Sequence, residues 1–124
     1  MLKLLSDRPN GEKLQRYCRT LLEQRRADLE FIVLFGSMAR GNWSRGSDYD
    51  LLIGLHGDDG QRLLDRMLAF VPSEALDVEV FPYSRSAWQR MFRACHPLFL
   101  EALEHGIGLW DRGAFAEMRT MFVQ

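Results

Sequence analysis

Apolar positions along the chain keep a helical period at its start, form continuous or alternating runs through its middle, and return to helical spacing toward the end. Leu14, Tyr17, Cys18, Leu21 and Leu22 recur at helical spacing after the turn signal Pro9-Asn10-Gly11, predicting an amphipathic first helix to about Arg26 that covers a sheet. Phe31 to Phe35 is an uninterrupted apolar run bounded by polar sequence, as expected of a strand buried on both faces. Asp48 to Leu55 reads as a second strand and His56 to Gly60 as a turn. Leu63, Leu64, Met67, Leu68 and Val71 mark a helix that Pro72 terminates. Leu76 to Phe81 alternates with the strand period and predicts a third strand. Ser86-Ala87-Trp88-Gln89 then resembles a capping box opening a helix to about Ala94, and Pro97 suits the first turn of another that Gly106 ends. Phe115, Met118 and Phe122 place a last packed helix over Ala114 to Phe122, so C-terminal helices are expected over about residues 84–122. Strand, helix, strand, helix, strand fits an α/β (α+β) architecture, a mixed sheet of at least three strands flanked by helices. No repeat, linker or low-complexity tract divides residues 1–124, which reads as one domain.

The candidate chemistry lies between the first two strands. The first predicted strand breaks at Gly36-Ser37 into a short helix, whose first backbone N–H groups and dipole favour an anion. Gly36 lets a phosphate approach the backbone and Ser37 adds a hydroxyl donor. Asp48 and Asp50 head the second strand two residues apart, so they project from one face with Cα atoms roughly 6.6 Å apart. Hard oxygen ligands with no His or Cys nearby favour Mg²⁺ or Mn²⁺, which bind phosphate oxygens directly. A phosphate cradle beside such a site suits transfer from a nucleoside triphosphate. Two carboxylates seldom complete the site, and in Leu76-Asp77-Val78-Glu79-Val80-Phe81 either Asp77 or Glu79 can supply a third, as ligand or as general base.

Gly36-Ser37, the following Ala39-Arg40-Gly41, and Ser47-Asp48-Tyr49-Asp50-Leu51 together resemble the signature of the minimal nucleotidyltransferases (MNT) of the DNA polymerase beta superfamily. The resemblance covers about residues 31–81. It implies a nucleotidyltransferase fold in which Gly36 and Ser37 bind triphosphate and Asp48 and Asp50 bind two Mg²⁺. The third carboxylate of that family sits on a following strand, most naturally at Glu79, where the family more often carries Asp. The family often pairs with a small helical protein of the HEPN class in toxin and antitoxin operons. By resemblance, this chain is expected to neutralise such a partner as its antitoxin, in some cases of the family by moving AMP from ATP to a tyrosine hydroxyl.

Composition narrows the choices. A chain of 124 residues, 47% hydrophobic, can build one real core but leaves no room for the added modules of larger polymerases and tRNA-modifying relatives. Its formal charge of −1 also argues against nucleic acid as a direct substrate, although its basic residues are almost all Arg and can cluster. Cys18 and Cys95 fall on predicted helices outside any CxxC pattern and read as reduced core thiols. The short apolar run at the N-terminus does not make a signal peptide, no segment approaches a membrane span, and the expected address is cytoplasmic.

Several residues have two readings. Arg40, one turn past Ser37, reaches either triphosphate oxygens or a salt bridge that holds the next loop. Asn42 to Ser47 reads as a mobile loop in which Arg45 is solvated rather than bound to phosphate, and Trp43 either stacks on a base or packs the loop down. His56, His96 and His105 form no cluster in sequence and read as structural, and the Met and aromatic residues of the last helices as core; together on the surface they would mark a partner or homo-oligomer interface. Two rival functions remain at this stage. One is a binding module that has lost its chemistry and blocks a partner by contact. The other is an enzyme modifying a small molecule such as an aminoglycoside, whose walls another domain or subunit would have to supply.

Overall fold

The computed structural model describes residues 7–43 and 48–122. The elements are α1 (Gly11–Arg25), a 3₁₀ turn (Arg26–Asp28), β1 (Leu29–Phe35), α2 (Ser37–Arg40), β2 (Tyr49–Leu55), α3 (Leu63–Ala69), β3 (Val78–Tyr83), α4 (Arg85–Arg93), α5 (Pro97–His105), β4 (Ile107–Asp111) and α6 (Ala114–Phe122). Four strands make one mixed sheet in the order β3-β2-β1-β4, with β1 antiparallel to both β2 and β4 and β2 parallel to β3. Every residue of β1 is buried, as its continuous apolar run requires of a central strand. The helix-flanked mixed sheet expected from the sequence is thus present.

Strand alternation sorts the core into two layers. Ile32 and Leu34 of β1 and Leu51 and Ile53 of β2 face α1, whose Leu14, Tyr17, Cys18 and Leu21 close that side. Phe31, Val33 and Phe35 of β1 with Leu52 of β2 face Trp88, Phe99, Leu103, Phe115 and Met118 from α4, α5 and α6. Phe31 meets the Trp88 ring edge-on at 5.3 Å between centroids, and the Trp88 indole N–H donates to the Leu55 carbonyl at 2.9 Å. Gly54 makes room for this layer: a Cβ there would come within 2.3 Å of the Phe31 ring.

Five local expectations are corrected. Ile107–Asp111, which falls between two helices within the span where only helices were expected, is the edge strand β4. Its alternation runs for only five residues, and its partners on β1 lie more than seventy positions earlier, so its pairing is non-local. Asp111 then closes the strand and opens α6, its carboxylate accepting from the amides of Gly113, Phe115 and Ala116. The third strand runs two residues later than predicted, over Val78–Tyr83, and holds Pro82 on a sheet edge, where a missing N–H is tolerated. The capping box at Ser86 does not form. Helix α4 starts at Arg85 behind Ser84, and Ser86 instead bonds the Asp58 carboxylate through both its amide and its hydroxyl.

Helix α3 is turned further from the core than its apolar stripe predicted, with Leu64 62%, Leu68 65% and Val71 63% exposed. The buried Arg66 takes the inner position, gripping the Asp59 carboxylate at 2.7 Å and the Gln61 carbonyl at 2.7 Å. An ion pair anchored to the preceding turn thus holds the inner position on this helix. Finally, Cys95 is not a helical core thiol; it is exposed in the turn after α4 with φ 54°. Cys18 is buried as expected, and burial pushes its thiol up to about 12.

No helix among the described residues is long and apolar enough to cross a membrane.

Candidate active site

Strand β1 ends at Phe35, and the chain turns at Gly36 with φ 78° and ψ −161°, a conformation that only glycine adopts without strain. Ala39 and Arg40 donate their amides to the Gly36 carbonyl at 3.1 Å each, and Gly41 closes α2 with its amide on the Ser37 carbonyl. Ser37 and Met38 are the first residues of this turn, so their amides precede its internal bonds. Met38 is buried beneath α2, while Ser37 stays partly accessible.

The Asp50 carboxylate faces this turn. Asp50 pairs with Phe35 across the β1–β2 ladder, and a Cβ placed on Gly36 would lie 2.3 Å from Asp50 Oδ2. Its other neighbour is Glu79, which occupies the same register on the parallel strand β3. Asp50 and Glu79 therefore project side by side, on the sheet face that carries Phe35, Phe81 and α5. Phe35 and Phe81 touch at 5.8 Å between centroids. Asp48 precedes β2 and is exposed, yet its charge reaches Asp50.

These neighbours make Asp50 a reluctant carboxylate. Partial burial, then the charges of Glu79 and Asp48 and a hydrogen bond with Glu79, push its pKa up to about 6, against a smaller lowering by Arg40. A group of anions that raises the proton affinity of its central member is equally a place where a cation is stabilised. The donors are all oxygens, as Mg²⁺ or Mn²⁺ prefers. Among the described residues no group of three carboxylate, His or Cys side chains is placed so that it could hold a metal ion.

Of the predicted site residues, Gly36, Asp50 and Glu79 are brought together, and Asp48 stands at their margin. Asp77 lies one residue before β3, accepts the Tyr49 amide through its carbonyl at 3.0 Å, and is not among the groups that perturb Asp50. Arg40, whose sequence left phosphate and salt bridge open, forms an ion pair with Glu101 of α5. Trp43 packs the loop down against the α1-side core, with the Arg8 guanidinium over its ring at 4.7 Å. Arg45 and Ser47 lie outside the described residues.

Two contributions were missed in the sequence. Arg8 donates to the Met38 carbonyl at 2.7 Å, and the Tyr49 hydroxyl donates to the Pro9 carbonyl at 2.6 Å, so the segment before α1 straps α2 to β2. Glu101 reaches the site from a helix more than sixty residues downstream. Neither carries a local motif, because each acts through a long-range contact.

Residues 13–89 match the nucleotidyltransferase domain family, and the chain belongs to that family. The fold is shared with a chain of a toxin–antitoxin complex crystallised with AMP-PNP, at TM-score 0.60 and 19% identity over 88% of this chain and 83% of that one. A mutant of the toxin–antitoxin pair MntA–HpeT matches at TM-score 0.59 and 17% identity, again over 88% and 83%. A chain from the complex of tri-AMPylated Shewanella oneidensis HEPN toxin with MNT antitoxin matches at TM-score 0.50 and 18% identity, over 99% and 87%. No curated protein matches the sequence significantly.

Proposed function

We propose that this protein is a metal-dependent nucleotidyltransferase that moves a nucleoside monophosphate, AMP from ATP, onto a hydroxyl of a HEPN-type helical partner and so acts as the antitoxin of the pair. The observation that carries the reading is the pairing of Asp50 with Glu79 on adjacent parallel strands, with Asp50 set against the turn at Gly36. Family membership supports nucleotidyl transfer. The shared fold with chains of toxin–antitoxin complexes, one with AMP-PNP and one with a tri-AMPylated HEPN toxin, supports the nucleotide and the partner.

In this reading Gly36 and Ser37 receive the triphosphate, with Arg40 beside it, and Asp48, Asp50 and Glu79 hold Mg²⁺, two ions in the full site. The metal would neutralise phosphate charge and orient the reacting oxygens. The acceptor hydroxyl oxygen forms a bond to the α-phosphorus, the bond from that phosphorus to the bridging oxygen breaks, and pyrophosphate leaves. Glu79, exposed at the edge of the acid cluster, accepts the hydroxyl proton.

The test is the intact mass of a co-expressed HEPN-type protein after incubation with this chain, Mg²⁺ and each nucleoside triphosphate. A gain of one or more nucleoside monophosphates, lost in Asp48→Asn/Asp50→Asn, is the expected result and identifies the base. A stable complex with no mass gain would replace transfer by inhibition through contact.

A further inference from the structure

We infer that Glu101 is a positioning residue for the triphosphate, acting through Arg40; the inference rests on the nucleotidyltransferase reading above. Arg40 is the last residue of the four-residue helix α2, and Gly41 follows it in the left-handed region with φ 86°. A guanidinium on so short a turn has a long, freely rotating stem, and fixing it costs side-chain entropy. Glu101 meets that cost. It lies mid-helix in α5, whose Phe99, Ala102 and Leu103 are buried against the sheet face that also carries Asp50 and Glu79. Its own side chain is 29% exposed, so a firmly packed helix presents the carboxylate at the rim of the site.

The contact uses the Arg40 Nη1 donor, and among the described residues Glu101 is the only hydrogen-bond and ion-pair partner of the Arg40 side chain. A guanidinium has five N–H donors in a rigid fork, so one tethered edge leaves the others directed elsewhere. Arg40 also starts beside the turn, since its backbone amide donates to the Gly36 carbonyl at 3.1 Å. Glu101 thereby keeps a cation beside the turn at Gly36, where the phosphates of the proposed substrate would lie. The contribution belongs to ground-state binding of the nucleotide and not to the bond-making step, so it falls on KM and leaves kcat nearly unchanged.

The experiment is a double-mutant cycle on nucleotide affinity, measured by calorimetric titration of a non-hydrolysable ATP analogue with Mg²⁺ into wild type, Glu101→Gln, Arg40→Ala and the double variant, with melting temperatures recorded alongside. Glu101→Gln is expected to weaken binding about three- to fivefold, the scale of a half-exposed ion pair. In the Arg40→Ala background the same change should have no further effect, because the route through Arg40 is gone. Glu101→Asp should restore part of the affinity. Unchanged affinity in Glu101→Gln with a lowered melting temperature would make the pair merely structural and overturn the inference alone. Tighter binding would overturn it too, as it would mean that Glu101 competes with phosphate for Arg40. A wild-type protein that binds none of the non-hydrolysable analogues of ATP, GTP, CTP and UTP in the same titration would overturn the nucleotidyltransferase reading and this inference with it.

Discussion

Gly36 and Asp50 are in such close register that a single methyl group on the glycine would sit 2.3 Å from the aspartate Oδ2. The turn is therefore shaped around the carboxylate as well as around the backbone conformation at φ 78°. Gly36→Ala combines a left-handed residue with a steric conflict, and a cost of about 1–3 kcal/mol from backbone strain alone is expected. Thermal unfolding of the variant should show a lowered melting temperature, and nucleotide affinity should fall because the phosphate approach and the Asp50 side chain move together. A variant with wild-type stability and affinity would contradict this geometry.

The acid cluster gives a pH signature. The Asp50 pKa is raised from 3.8 to about 6 in the folded protein, so its proton is held more tightly when folded than when unfolded. Its contribution to stability is complete below about pH 4 and is lost as the pH rises through about 6. Asp50→Asn, which mimics the protonated acid, should accordingly be more stable than wild type at pH 8 and converge with it near pH 4. Melting curves of the two proteins across that range, without metal, test the sign.

Divalent metal should reverse that penalty. If Asp50 and its neighbours hold Mg²⁺, millimolar Mg²⁺ raises the wild-type melting temperature at pH 8, since binding only to the folded state stabilises it by mass action. The Asp48→Asn/Asp50→Asn variant should show little or none of this shift. An equal shift in both proteins would remove these aspartates from metal binding.

Glu79 and Asp77 are separated by one prediction. Glu79→Gln should reduce nucleotidyl transfer by about 10²–10⁴-fold, the usual scale for losing a general base, with larger losses if metal binding also fails. Asp77→Asn, outside the contact with Asp50, should leave transfer within a few fold of wild type. Steady-state rates on a modified partner protein decide between them.

What could be seen in the sequence follows the range of each interaction. The central strand, the first helix and the turn at Gly36 are local patterns, and the structure places them as expected. Asp50 and Glu79 were both candidates, yet their contact depends on a parallel register between strands joined through α3, which no spacing rule supplies. The strand β4 was hidden because five residues beside a helical tail carry too little periodicity, and its pairing with β1 is non-local. In α3 the apolar spacing marks a helix, but its buried position belongs to Arg66, whose partner Asp59 lies in the preceding turn. Arg40 could not be resolved from sequence for the same reason: its partner, Glu101, belongs to another helix.

The parallel pairing of β2 with β3 makes the acid pair a check on assembly. A slip of one residue between these strands would leave much of the ladder intact but turn Glu79 to the opposite side of the sheet, away from Asp50. Chains trapped in that arrangement would lose the carboxylate pair and also carry Val80 and Phe81 out of their core layers, while the helices could still form. Metal affinity in a freshly refolded sample would therefore report the fraction of molecules whose strands have paired correctly, a quantity that helix content cannot register.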